Sequence, residues 1–177
     1  MIARRILPFL LVALGALPVA AQTQKPSPPA AAKPGGPKQI GKFGDWTAAT
    51  HQESGGTVCY AFVRAQSSAP AVPSRGEVVL TVTQRATGRD AVALAAGFAY
   101  AANATVTVQV DQTGLDFYTA QRNAFARDGK AVVAAFQKCS RAIARSPGPR
   151  DTQVTDTFSL NGFTAAYQAI VKECPAR

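Results

Sequence analysis

Thr105-Val106-Thr107-Val108-Gln109-Val110 decides the fold class of this chain. Valine recurs at every second position and a polar residue fills each gap. Successive side chains of an extended strand point to opposite faces, so this segment has one face for a core and one for water. Val78, Leu80 and Val82 alternate in the same way with Glu77, Thr81 and Thr83. Further strands are expected at Phe43–Ala48, Val58–Arg64, Ala91–Phe98, Leu115–Thr119, Lys138–Arg145 and Gln153–Ser159. Gly55-Gly56, Thr87-Gly88-Arg89, Gln112-Thr113-Gly114 and Pro147-Gly148-Pro149 separate them as turns. Many short strands at this spacing predict a mainly β fold, a two-sheet antiparallel β-sandwich.

Two segments follow a helical period instead. Asp128 caps a short helix running through Gln137, with Val132, Val133 and Phe136 inward. A second helix is expected over residues 161–173. There Phe163, Ala166, Tyr167, Ile170 and Cys174 recur at spacings of three and four, and Pro175 ends it.

The 177 residues are 47% hydrophobic and 16% charged, which supports a packed core. Residues 1–21 read as a signal peptide: Arg4 and Arg5, an apolar run from Ile6 to Leu17, then Val19-Ala20-Ala21. That run is short of the roughly twenty residues a spanning helix needs, so no transmembrane segment is expected in the mature chain. Residues 22–41, rich in Pro, Ala and Lys, read as a disordered linker, and residues 42–177 as one domain. The localisation expected is the periplasm, or secreted to the outer surface.

The net charge of +9 overstates the basicity of the domain. Without Arg4, Arg5, Lys25, Lys33, Lys38 and Lys42, 13 basic residues face 10 acidic ones. No basic cluster with stacking aromatics is visible, so no nucleic-acid partner is expected.

Catalytic chemistry finds little purchase. A single histidine, His51, lies in a polar loop, and neither a nucleophile elbow nor a phosphate-binding glycine loop is present. Asp111 and Asp116 flank a turn and read as solvated carboxylates rather than a glycosidase pair. The expectation is no enzyme, no cofactor and no metal site.

Three cysteines allow three single pairings. Cys59 sits on a strand among Val58, Tyr60 and Phe62, and Cys174 continues the apolar stripe of the last helix. Cys59–Cys174 is the favoured disulfide. Cys139 then remains as a free thiol beside Lys138 and Arg141. It reads either as a small buried hydrophobe or as a thiol made reactive by those cations.

Phe43-Gly44-Asp45-Trp46, Val58-Cys59-Tyr60 and the run from Asp156 through Ser159-Leu160-Asn161-Gly162-Phe163 to Ala166 are familiar together. With Cys174-Pro175 they resemble the invasion-associated locus B family of exported proteobacterial proteins. The resemblance covers most of Lys42 to Pro175. It implies an exported β-sandwich linked to host-cell invasion or envelope interaction, and a branch with the same two cysteines matches the favoured pairing. That branch commonly has glycine where Cys139 stands, and many other members carry a cysteine near Ala49 and Thr50. No catalytic residues follow from it. Gly44, Asp45, Trp46, Ser159, Leu160, Gly162 and Phe163 also have structural reasons to be there. The function expected is a non-enzymatic envelope or secreted module that binds an unidentified protein, envelope or host-surface component. The alternative is a thiol-dependent envelope redox or stress protein using Cys139.

Overall fold

The computed structural model describes residues 36–176. The expected signal peptide and most of the expected linker lie outside the described residues. The body begins inside that linker, because Lys38–Phe43 is already a strand, β1. It pairs antiparallel with β2, Trp46–Glu53. The single strand expected over Phe43–Ala48 is therefore two strands joined by a turn at Gly44-Asp45, where Gly44 has φ +54°.

The alternating valines behave as their period requires. In β7, Thr105–Val110, Val106, Val108 and Val110 are buried while Thr105 and Thr107 face solvent. The remaining strands are β3 (Gly56–Arg64), β4 (Ser67–Ala69), β5 (Val79–Gln84), β6 (Ala91–Ala95), β8 (Thr113–Ala120), β9 (Asn123–Ala126), β10 (Arg141–Pro147) and β11 (Gln153–Ser159). A single 3₁₀ turn, Pro149–Asp151, links the last two.

The antiparallel, mainly β class is as expected, but two separate sheets are not what forms. One unbroken ladder runs β1-β2-β3-β5-β6-β9-β8-β7-β10-β11-β4. The join is β9, which pairs with β6 on one side and β8 on the other; the chain from Gly56 to Ala69 then brings the β11 edge round toward β3. The Ala65 amide still donates to Val78 O at 3.0 Å beside β5, and the next amide, Gln66, donates to Thr157 O at 2.8 Å in β11. A single bend thus hands the chain from β3, third in the ladder, to its far edge at β4. The ladder curls back on itself, and inward side chains of distant strands meet in one cluster that includes Trp46, Leu80, Leu94, Val108, Phe117 and Phe158.

Both helices form close to their expected positions. In α1, Gly129–Phe136, Asp128 Oδ1 accepts from the Ala131 amide at 3.0 Å, and Val132, Val133 and Phe136 are buried. The second, α2, spans Phe163–Glu173 and buries Phe163, Ala166 and Ile170. It starts two residues later than expected, because Gly162 takes φ +85° and ends the turn that leaves β11.

Cys59 and Cys174 are disulfide-bonded, with Cα atoms 5.9 Å apart. Cys59 is fully buried in β3, and the bond fastens the end of α2 across 115 residues of sequence. Arg89 adds a 2.7 Å hydrogen bond from Nη1 to Cys174 O. Reduction is expected to remove about 2 to 4 kcal/mol, lowering the melting temperature by several degrees and exposing the amides of α2 to exchange first. Calorimetry and hydrogen exchange with and without reductant check this, and Cys139→Ser is expected to melt like the parent.

Candidate functional site

The two motifs at the ends of the domain converge on one buried junction. Trp46 is fully buried, and its Nε1 donates to Ser159 O at 3.0 Å. Its ring meets Phe163 edge-on at 4.8 Å between centroids, and Phe163 in turn meets Phe136 of α1 at 5.3 Å. The Asp45 amide donates to Asn161 O at 3.2 Å. A Cβ on Gly162 would lie 2.0 Å from Phe43 O, and one on Gly44 would lie 2.7 Å from Asn161 O. Only glycine permits two backbones this close. Leu160 is buried beside them, and its amide donates to Ser140 O at 2.9 Å. Gly44, Asp45, Trp46, Ser159, Leu160, Gly162 and Phe163 thus hold the β1–β2 turn to the start of α2.

A buried charge pair, absent from the sequence reading, lies along β11. Asp156 is fully buried, on the same face as Val154 and Phe158. Arg75 clamps it with two 2.7 Å bonds and places Nε on Ala96 O at 2.7 Å, while Ser68 Oγ donates to Asp156 Oδ1 at 2.7 Å. The guanidinium also lies 5.0 Å from the Phe98 ring centroid. Nearby, Tyr100 shares a 3.2 Å hydrogen bond with Ser146, and burial pushes its phenol pKa above the ordinary value. A second network joins Gln84 to Asp90 at 2.6 Å and Asp90 to the Tyr167 hydroxyl at 2.7 Å. Burial, reinforced by the bond to Asp90, pushes Tyr167 up to about 12. The signal for the charge pair was legible: an aspartate on the inward register of an apolar strand needs a partner.

The outward face of β2, β3 and β5 carries a different surface. Tyr60 and Phe62 stack with centroids 6.0 Å apart, His51 meets Tyr60 edge-on at 5.4 Å, and Arg64 sits 5.8 Å from the Phe62 centroid. These residues line a groove of about 540 Å³, with Val79 and Pro37 in its wall. Ion pairs border it: Arg64 with Glu77 at 2.9 Å and Arg85 with Glu53 through two 2.9 Å bonds. The Arg85 hydrogen bonds hold the Glu53 carboxyl down to about 2, helped by His51 Nε2 at 3.0 Å from Glu53 Oε1. His51 is therefore fastened within a charged cluster rather than loose in a loop.

The other sequence candidates stay apart. Asp116 lies opposite Thr107 within the β7–β8 ladder, whereas Asp111 stands at its turn, so the two do not form a pair. Cys139 is the free cysteine; it is half-buried, packs on the core cluster, and lines a second groove with Lys138 and Arg141. No group of three or more His, Cys, Asp or Glu side chains able to hold a metal occurs among the described residues.

Asp156→Ala leaves the Arg75 guanidinium buried without its partner and is expected to cost about 3 to 5 kcal/mol in denaturant unfolding. Replacing both members with apolar residues is expected to recover part of that loss. Glu53 supplies an acid-side prediction. Its folded value lies below the ordinary 4.5, so its pairing supports the fold above pH 4.5 and that support is lost as pH falls toward 2. A carboxyl NMR titration is expected to place its midpoint near 2, and Glu53→Gln removes this component of the acid limb.

Residues 46–171 match the family described as invasion associated locus B (IalB) protein. No curated protein matches the chain. Among solved structures, the crystal structure of invasion associated protein b from Bartonella henselae is similar, at TM-score 0.56 and 19% identity. The match covers 75% of this chain and 95% of that one, and at this identity it speaks for the fold. No helix among the described residues is long and apolar enough to cross a membrane. With the family match running from Trp46 of the junction to within three residues of Cys174, the chain belongs to the invasion associated locus B family.

Proposed function

We propose that this protein is an exported, non-enzymatic binding module that docks a protein of the envelope or host surface through the outward face of β2, β3 and β5. The observation that carries the reading is the run Tyr60, Phe62 and Arg64 along β3. A solvent-facing strand surface ordinarily alternates toward polar residues, whereas here two stacked rings and a guanidinium line an open groove. Aromatic side chains and arginine supply most of the energy at protein interfaces, and a rim of ion pairs such as Arg64–Glu77 and Arg85–Glu53 adds orientation. Family membership supports an invasion-associated setting for that partner. Residues 1–21 read in sequence as an export signal, and the Cys59–Cys174 bond suits an oxidising compartment. That combination favours the periplasm or the outer surface as the place of work.

The thiol-dependent reading of Cys139 is the weaker one. The side chain packs against the core cluster, and Lys138 and Arg141 line its groove without a histidine or second thiol beside them among the described residues.

Labelled protein is expected to bind host-cell membranes or isolated envelope fractions saturably. Tyr60→Ala with Phe62→Ala is expected to weaken that binding about a hundredfold, on the order of two interface anchors, with little change in melting temperature. Cys139→Ser is expected to bind like the parent. Binding unchanged by the aromatic pair would remove this face from the function.

A further inference from the structure

We infer that the outward face of β7 and β10 is a second binding site, a trough for an acidic oligosaccharide. It lies on strands separate from the Tyr60 face, so it stands or falls independently of the proposed docking function. Two cavities of about 730 and 740 Å³ adjoin here, and Arg145 lines both. The seven residues of β10 give the trough a length of about 20 Å at ~3.3 Å per residue.

The period of two builds the site. Ala142, Ala144 and Ser146 are buried, which turns Arg141, Ile143 and Arg145 outward. Register sets Arg145 beside Thr107 and Ile143 beside Gln109. Arg145 Nη1 donates to Gln109 Oε1 across the two strands, which holds the guanidinium in place before any ligand arrives.

Charge selects the ligand. Lys138, Arg141 and Arg145 line the first cavity against one acid, Asp111, a net of +2. The ion pairs among the described residues engage His51, Arg64, Arg75 and Arg85, and none engages these three cations. Their charge is available to sulfate, carboxylate or phosphate groups. The second cavity is lined by Asn103, Thr105, Thr107 and Gln153, whose amides and hydroxyls match the hydroxyls of sugar rings. No aromatic side chain lines either cavity, so nucleic-acid bases have no stacking platform. Apolar anchoring for a protein partner is also sparse, with Ile143 the large aliphatic side chain present. An anionic glycan fits both halves, whether a sulfated glycosaminoglycan of a host surface or a phosphorylated glycan of the bacterial envelope.

Titration calorimetry of the disulfide-intact protein tests the assignment with three probes. These are a heparin-derived sulfated hexasaccharide, a delipidated phosphorylated core oligosaccharide of lipopolysaccharide, and neutral maltohexaose. At least one anionic probe is expected to bind roughly tenfold or more tightly than maltohexaose, and to weaken as salt rises. Binding of the sulfated probe alone assigns the host source, and of the phosphorylated probe alone the envelope source. Lys138→Glu with Arg141→Glu is expected to weaken binding roughly tenfold or more, while Lys172→Glu, on the exposed side of α2, leaves it unchanged. Amide shifts in the parent protein provide a location that needs no variant, and are expected at Gln109, Ser140 and Ile143. Failure of both anionic probes, binding that survives the double reversal, or shifts elsewhere would overturn the site. Equal competition by a DNA duplex would overturn the glycan assignment.

Discussion

The close approach of Phe43-Gly44 to Asn161-Gly162 is the constraint on which the rest of the domain depends. Two chain segments more than a hundred residues apart meet backbone to backbone, and Trp46 seals the contact by donating its indole N–H to Ser159 O. The indole removes a large apolar area from water and satisfies a carbonyl at the end of β11 in the same step. Phe163 and Phe136 complete an aromatic cluster that both helices share with β2. The disulfide at the far end of α2 holds the same helix to β3, so α2 is fixed at its start by sterics and at its end covalently.

Curling the ladder creates the second constraint. The bend at Ala65–Gln66 carries β4 to β11, and that seam is only three residue pairs long. Arg75 reinforces it, because one guanidinium reaches Asp156 of β11, beside Ser68 of β4, and also Ala96 O beyond β6. Buried ion pairs add little net stability over a well-packed apolar core. Their directional bonds do exclude other registers, since a slip of one residue would turn Asp156 to solvent and strand Arg75.

With the motif residues occupied in holding the chain together, the outer faces are where we place binding. The β3 surface is aromatic and edged with ion pairs, suited to a partner with apolar anchors. The β7–β10 surface is cationic and hydroxyl-rich, suited to an anionic and hydrated one. Antiparallel strands carry the central residues of both, and adjoining turns complete the second with Lys138 and Asn103.

Local pattern by itself determined much of this protein. Alternating valines named β7, Asp128 named the start of α1, and the Phe163–Ile170 stripe named the buried face of α2, since each is a property of neighbours in sequence. Cys59 and Cys174 were separately marked as core-facing, which made their pairing legible. Other features needed the tertiary structure. The strands β4 and β9 are three and four residues long, too short for a period to declare itself, and owe their existence to partners far along the chain. The single ladder depends on β9 pairing with both β6 and β8, and its curl on two consecutive amides, Ala65 and Gln66, choosing acceptors on different strands. The inward register of Asp156 called for a partner, but that the partner is Arg75, 81 residues away, came only from the fold, and Arg145 acquires its trough only from a neighbour in register. Periodicity reports which way a side chain points; what it then meets is decided by the closure of the chain.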